Sequence, residues 1–390
     1  MKKICVVTAT RAEYGPLKRT IQRVLADQEL ELCLTVTGTH LSEAHGYTVE
    51  EIEKDGIPIA EKINILQKED GETEICKTMG QAACLFGKMF ERQKPDLLLV
   101  CGDRYELLPI CSSAMVFGIP IAHISGGEVT EGAIDDTIRH CITKMSYLHF
   151  PGCEEYRQRI IQLGEAPERV FNFGDVGVEN IRKTDYLSRR ELEKSLGISF
   201  TEKLAGVTFH PVTLERDSAA KQTVELISVL RGYPEITFVV TMANADFEGQ
   251  VINRMFEESA AKYGNIHCYA SLGAQRYLSL LKHADFVIGN SSSGIIEAPC
   301  FGIPTINIGN RQKGRLKAES VIDCEAAETS VRAAVEQALT PEFQEIARNA
   351  KNPYGDGDTS ERIVETIKEF LEQGKIDLKK RFYDLEAVKK

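Results

Sequence analysis

The chain has 390 residues, 43% of them hydrophobic and 27% charged, which favours two globular domains and leaves no room for low-complexity tracts. A formal charge of -11 speaks against a nucleic-acid partner, since backbone phosphates call for clustered excess Lys and Arg. No apolar run reaches the roughly 18 to 20 residues of a membrane span, and MKKICVVTAT lacks the apolar stretch and cleavage site of a signal peptide, so a cytoplasmic protein without a membrane partner is expected.

Along the first half, short apolar runs alternate with helical patterns: KICVVTA, LELCLTVTG, DLLLVCGD, IPIAHISG, YLHFPG and RVFNFGD. The second half continues with LAGVTFHP, EITFVVTMA, NIHCYAS, DFVIGNSS and PTINIG. Continuous apolar runs, as opposed to alternating ones, predict strands buried on both faces, hence parallel sheets covered by helices and an α/β class. A weak repeat links PDLLLVCGDR…FGIPIAHISG with ADFVIGNSSSG…FGIPTINIGN: strand, turn, helix, Gly-x-Pro, strand. Gly118 or Gly302 would end each helix and Pro120 or Pro304 would open the next strand. One such unit per half predicts two doubly wound domains. The boundary is placed near GDVGVENIRKTD, giving residues 1–174 and 175–367, with a charged helical tail, 368–390, crossing back to the first domain. The eleven cysteines are odd in number and include no C-x-x-C pair, so reduced, buried thiols are expected, and no metal site.

In open parallel sheets ligands bind beyond the carboxyl ends of strands, so the residues after each run carry the chemistry. The first half offers Arg11 and Glu13 in TATRAEYGP, Asp103 and Arg104 in GDRYE, and Glu128 and Asp135 in HISGGEVTEGAIDD. The second half offers His210 in FHP, Asn244 in ANAD, Ser291, Ser292, Ser293, Gly294 and Glu297 in GNSSSGIIE, and Arg311 and Arg315 in GNRQKGR. Small hydroxyl residues at the mouth of a helix present donors to an anion such as phosphate.

Each signal also has a plainer reading. Ser291 to Ser293 can be an N-cap, Asp103 can cap the following helix, and His210 can be a hydrogen-bonded strand-end histidine. Arg311 and Arg315 can form a solvated basic face, and His40 and His45 have no metal-like context. Arg139 can pair with Asp135 at i,i+4 spacing in place of a ligand contact. GDGDTSE reads as a turn capping the last helix, because no strand precedes it as in a phosphate loop. The joint pattern, acids in the first half and anion donors in the second, suits a nucleotide sugar held in a cleft between the halves.

These residues resemble the hydrolysing UDP-N-acetylglucosamine 2-epimerases of sialic and related nonulosonic acid biosynthesis, through TRAEYG, VTGTH, GDRYE, GGE with IDDTIRH and ITKMS, FHP, GNSSSGIIE, INIGNRQKGR and NPYGDG. The resemblance implies two Rossmann-like domains facing across a cleft in the glycosyltransferase-B arrangement, a homo-oligomer (dimer or tetramer), and no cofactor. It implies Asp103, Glu128 and Asp135 at the sugar, and Arg11, Arg104, His210, Asn244, Ser291, Ser292, Ser293, Gly294, Glu297 and Arg311 at the nucleotide diphosphate. Many members carry glutamate where this chain has Ser125, which leaves the sugar open. The implied reaction takes UDP-N-acetylglucosamine and water to N-acetylmannosamine and UDP. The same chemistry on UDP- or GDP-2,4-diacetamido-2,4,6-trideoxyglucose, for legionaminic acid, is the alternative, and a sugar transferase of the same architecture is the rival. Anti elimination to a glycal followed by rehydration assigns Asp103 and Glu128 as the acid/base pair, Asp135 as an orienting or proton-sharing group, and His210 as a contact of the phosphate or a source of its proton.

Overall fold

The computed structural model describes residues 1–67, 69, 71–131, 133–212, 215, 218–243, 248–355, 357–374 and 376–385. The first sheet contains β1 (Lys2–Thr8), β2 (Leu30–Thr37), β3 (Glu61–Ile63), β4 (Leu97–Cys101), β5 (Ile121–Ile124) and β6 (Leu148–Phe150), in the order β3-β2-β1-β4-β5-β6. The second contains β7 (Lys203–Thr208), β8 (Ile236–Thr241), β9 (Ile266–Tyr269), β10 (Phe286–Gly289), β11 (Thr305–Ile308) and β12 (Val321–Cys324), in the order β12-β11-β10-β7-β8-β9. Every pairing is parallel. In both sheets the first and fourth strands are neighbours, so the winding reverses between β1 and β4 and between β7 and β10, where doubly wound folds bind their ligands.

The apolar runs become strands because both faces are covered. In β1, Ile4 and Val6 join a core with helix Arg11–Ala26, whereas Cys5 and Val7 join another with helices Glu72–Gln93 and Leu107–Val116. In the second sheet, Val207, Phe238 and Ile288 pack with Leu226, Phe256 and Val335 from three helices. The repeat occupies equivalent places, β4 to β5 and β10 to β11. Gly118 and Gly302 both take a left-handed conformation, φ 67° and 65°, and the carbonyls of Pro120 and Pro304 accept from Leu98 and Val287, each at 2.9 Å.

Two edges differ from the sequence pattern. RVFNFGD forms only a single bridge, His149 to Val170, because Phe171 and Phe173 turn to pack on Phe150 and Phe370. The sixth places in the two sheets that the runs did not supply go to β3, EKI, and β12, VIDC. Both are short edge strands with charged, part-exposed residues, a pattern that blunts an edge and hides it from a search for apolar runs.

Contacts divide the chain into one unit of Met1–Glu128, Asp135–Asn180 and Tyr354–Lys390, and another of Val129–Ile134 and Ile181–Pro353. The division departs from the expected 1–174, 175–367 and 368–390. Helix Val176–Lys183 begins in the first unit because Asn180 donates to the Gly15 carbonyl at 2.7 Å and Glu179 accepts from the Ser360 amide at 2.7 Å. The chain returns to this unit at Tyr354, whose hydroxyl lies 2.8 Å from that of Tyr156, and helix Thr359–Glu372 is then held by Arg23 to Ser360 and Lys368 to Asp27, each 2.9 Å. The eleven cysteines are free thiols, but Cys76, Cys84 and Cys141 are exposed.

The segment after this helix is fixed by a buried anion. Glu165, fully buried, meets Lys144 at 2.6 Å, Lys380 at 3.0 Å, His149 at 3.3 Å and Arg169 at 3.4 Å. Burial alone would raise its carboxyl, but the hydrogen bonds from His149 and Lys144 and the charge of Lys380 outweigh it and hold the group at about 2. A depressed carboxyl stabilises the fold above its unfolded value of roughly 4.3 and loses that contribution as pH falls towards the folded value. Glu165→Gln is therefore expected to cost about 3 kcal/mol at pH 7, and the gap from the parent protein should narrow below about pH 4, as read by denaturation midpoints across pH.

Candidate active site

In the first unit the site begins at the end of β4. Gly102 turns the chain out of the strand at φ 83°, and Asp103 follows. Helix Asp135–Met145 sends Arg139 inward, only 1% exposed, where it pairs with the Asp103 carboxylate and donates to the Glu128 carbonyl at 3.0 Å. Its distance to Asp136 is 4.0 Å. The guanidinium therefore reaches well beyond the first turn of its own helix. It joins two acid-bearing segments far apart in sequence.

The four carboxylates of GGEVTEGAIDD diverge. Glu128 and Asp135 are buried, at 3% and 9% exposure, with Asp135 opening its helix. Glu131 is exposed and pairs with Lys313 at 3.2 Å within the second unit, while Asp136 lies 3.6 Å from His140. The glycine pair is demanded by close approach: a side chain at Gly127, φ 77°, would collide with the Tyr156 carbonyl, and the Gly127 carbonyl is held by Arg159 at 2.7 Å. Ser125, just before this turn, sits at φ 62° without being glycine, a strained conformation costing about 1–3 kcal/mol that concentrates at functional sites. Its amide donates to Phe150 O at 3.0 Å.

Glu13 lies beyond β1. Its carboxylate reaches back to the amides of Ala9 at 2.6 Å and Thr10 at 3.3 Å, covering orphan donors at the start of helix Arg11–Ala26. Burial pushes Glu13 up to about 8, against those backbone hydrogen bonds; the charge of Glu106 adds to the rise and Arg104 opposes it. Arg104 is 5% exposed, its Nε 3.3 Å from the fully buried Glu106 and its guanidinium over the Tyr105 ring. A diphosphate contact by Arg104 would therefore compete with Glu106. Cys101 is raised first by burial, then by the charges of Asp175, Glu13 and Glu128, which marks a concentration of acids at the β4 end. Arg11 is half-buried in this unit too.

The second unit gathers its residues where β7 and β10 end. Asn290 clamps His210 at two points: His210 N donates to Asn290 Oδ1 at 2.7 Å, and Asn290 Nδ2 donates to His210 O at 2.8 Å. Arg311 and Gln312 both donate to the Asn290 carbonyl, at 3.0 and 2.8 Å. Gly289, at φ 139°, allows this approach, because a side chain there would strike the Thr208 carbonyl. Ser291 caps helix Ser292–Ile296, its Oγ accepting from the Ser293 amide at 3.3 Å, and Ser293 donates to Glu297 while accepting from Tyr277 at 2.6 Å. At five residues this helix offers individual donors and little macrodipole. Gly294 closes the turn against Thr305.

The structure thus groups Arg11, Asp103, Arg104, Glu128 and Asp135 in the first unit, and His210, Ser291, Ser292, Ser293, Gly294, Glu297 and Arg311 in the second. Asn244 lies outside the described residues. His40 is a buried structural histidine, 3.0 Å from Thr8 and 2.7 Å from Thr48. Reading the sequence alone missed Asn290, Gln312 and Tyr277, and weighed Arg139 as a ligand contact or an i,i+4 partner of Asp135 without finding its tie to Asp103. Asn290 lay in plain view beside the serines, but nothing local announces a side chain that clamps backbone across a sheet.

The raised carboxyl of Glu13 has a testable sign. Between its unfolded value near 4.3 and about 8 the folded chain holds a proton that the unfolded chain releases, so stability falls as pH rises. Glu13→Gln should remove this slope, and denaturation midpoints should favour the variant increasingly from pH 5 to pH 8. Asp103→Asn takes the counter-ion from a buried arginine and should cost about 3 kcal/mol in chemical denaturation, while calorimetric titration with UDP should show affinity largely retained.

The family model described as UDP-N-acetylglucosamine 2-epimerase matches residues 22–368. The chain is 43% identical over 327 residues, 83% of its length and 84% of the other's, to the GDP/UDP-N,N'-diacetylbacillosamine 2-epimerase (hydrolyzing) of Campylobacter jejuni. It is 36% identical to the polysialic acid biosynthesis protein P7 of Escherichia coli, covering 99% and 98% of the two chains. The crystal structure of UDP-GlcNAc 2-epimerase from Neisseria meningitidis bound to UDP-GlcNAc superposes with a TM-score of 0.80 at 18% identity, covering 94% of this chain and 100% of that one, and so shares its fold. The chain belongs to the UDP-N-acetylglucosamine 2-epimerase family.

Proposed function

We propose that the protein is a hydrolysing nucleotide-sugar 2-epimerase, which converts a UDP-linked 2-acetamido sugar and water into UDP and the free sugar inverted at C2. The observation that carries this reading is the buried Arg139, which draws Asp103 and the Glu128 segment to one strand mouth. In an α-linked gluco sugar the C2 hydrogen and the C1 phosphate oxygen stand trans-diaxial, so elimination can run anti. No carbonyl acidifies C2–H, so C1–O cleavage runs ahead, and a carboxylate stabilises the positive charge while another takes the proton.

Asp103, ion-paired to Arg139, serves as the base. Glu128 delivers a proton to the opposite face of C2, with Asp135 orienting it, as water adds to C1. Glu13, protonated at neutral pH, limits the negative charge that such crowding would build up. His210, Ser292, Ser293, Glu297, Arg311 and Asn244 serve the nucleotide diphosphate, whose departure they assist by hydrogen bonding.

Between the two sugars left open by the resemblance, the diacetamido trideoxy sugar now takes first place over N-acetylglucosamine. It is supported by the 43% identical relative named for diacetylbacillosamine and by the small Ser125 at the strand mouth. The product would then supply synthesis of a legionaminic-type acid, and N-acetylmannosamine would supply sialic acid.

Product formed in heavy water should carry deuterium at C2, and oxygen-18 from solvent should appear in the sugar and not in UDP. A glycosidase-like displacement would keep the C2 hydrogen and the gluco configuration; that result, by mass spectrometry and proton NMR, would refute elimination. UDP- and GDP-linked forms of both sugars, compared by rate of nucleotide release, should show the UDP-diacetamido substrate fastest.

A further inference from the structure

His123 is the first residue of HISGGEVTEGAIDD. It is fully buried on β5, and its side chain meets three segments that each carry an acid. Nε2 lies 2.8 Å from the carbonyl of Gly102, the residue before Asp103. Nδ1 lies 3.3 Å from the hydroxyl of Thr143, on the helix that begins with Asp135 and bears Arg139. The ring packs under Gly126 so closely that a Cβ there would stand 3.0 Å from Nδ1 and 3.3 Å from Cε1, and Gly126 leads through Gly127 to Glu128.

The tautomer follows from these partners. A carbonyl only accepts, so Nε2 carries the hydrogen, and Nδ1 accepts from Thr143. Burial holds the ring neutral down to about pH 3, the Gly102 hydrogen bond opposing and the nearby His149 and His140 adding to that effect. An imidazole locked in this way cannot itself exchange protons with a substrate in the neutral range. Its partners are backbone and a hydroxyl, and what it controls is where they stand.

We propose that His123 is a positioning residue, a buried imidazole that sets the relative placement of Asp103, Glu128 and Asp135 by pinning the Gly102 carbonyl, the Gly126 turn and the Thr143 helix face to one ring. Arg139 joins the same segments from the charged side, so the acids are fixed by two independent braces. This rests on the elimination reading of the site, in which removing and returning a proton on opposite faces of C2 tolerates little displacement. Misplacement by about 1 Å is enough to cost roughly 100-fold in rate.

Three variants test it: His123→Phe keeps a ring and loses both hydrogen bonds, His123→Gln keeps an Nε2 donor, and Thr143→Val removes the second partner. With the UDP-linked sugar that the parent protein turns over fastest, His123→Phe should lower kcat about 100-fold with KM and calorimetric UDP stoichiometry little changed, and His123→Gln should recover most of the loss. The ratio of free glycal released to sugar formed should rise in His123→Phe and Thr143→Val, because a displaced acid delays the second proton transfer. A loss of folded protein alone would lower UDP stoichiometry in step with kcat and leave that ratio unchanged, and this result would overturn the proposal. Should His123→Phe fail to fold, Thr143→Val carries the same test, and a parent-like kcat and glycal ratio in it would overturn the proposal. Independently of turnover, long-range proton–nitrogen NMR of the parent should show His123 as the Nε2–H tautomer from pH 5 to pH 8; an Nδ1–H or charged ring would sink the proposal. Retention of the C2 hydrogen by the parent enzyme in heavy water would instead refute elimination, leaving the kcat and KM split and the tautomer to decide the role of His123.

Discussion

A guanidinium with 1% exposure cannot stay in a protein interior without compensation, since an uncompensated buried charge costs several kcal/mol. Arg139 meets that requirement by drawing in the Asp103 carboxylate and the Glu128 carbonyl. The loop after β4 and the loop after β5 are thereby tied to the helix that follows them. Breaking the pair would release the acids as well as the charge, so stability and, in the proposed reaction, the chemistry share one interaction. The strain at Ser125 and the collision-limited glycine pair are tolerable because this brace overdetermines their position.

Buried acids of the first unit that lie outside this brace are not chemically alike. Burial leaves Glu13 holding its proton to about 8, whereas Glu165, also buried but hydrogen-bonded by His149 and Lys144 and near Lys380, is held at about 2. Burial raises both, and the hydrogen bonds from His149 and Lys144, with the charges of His149 and Lys380, bring Glu165 down. A proton-transfer site needs such inequality, because a set of identical carboxylates offers neither a committed donor nor a committed acceptor. Glu165 applies the same physics to architecture, fastening the segment that follows the last helix.

The two units repeat one design for different ends. Each sheet reverses its winding between its first and fourth strands, and each places a strand, a helix ending in left-handed glycine and a proline-led strand at the same position. In the first unit the loop after the fourth strand carries Asp103; in the second it carries Asn290 and the serines. In the second unit neutral side chains clamp the loop, with Asn290 gripping His210 and Gln312 gripping the Asn290 carbonyl, to which part-buried Arg311 adds a charged donor.

The strand-forming runs were legible because residues buried on both faces leave continuous hydrophobic stretches, and the internal repeat was legible because glycine and proline mark turns wherever they fall. The edge strands EKI and VIDC were not, since edges carry charge, and RVFNFGD misled because its apolar residues pack on aromatic rings beside the sheet and form no ladder. Among site residues, the sequence determined which types stand at strand ends. Tertiary structure decided their partners: that Arg139 reaches Asp103 and the Glu128 carbonyl, and that Asn290 clamps His210. Type and local spacing are properties of adjacent residues. A buried charge or an imidazole such as His123, by contrast, chooses among groups made neighbours only when separate strands and helices close around it.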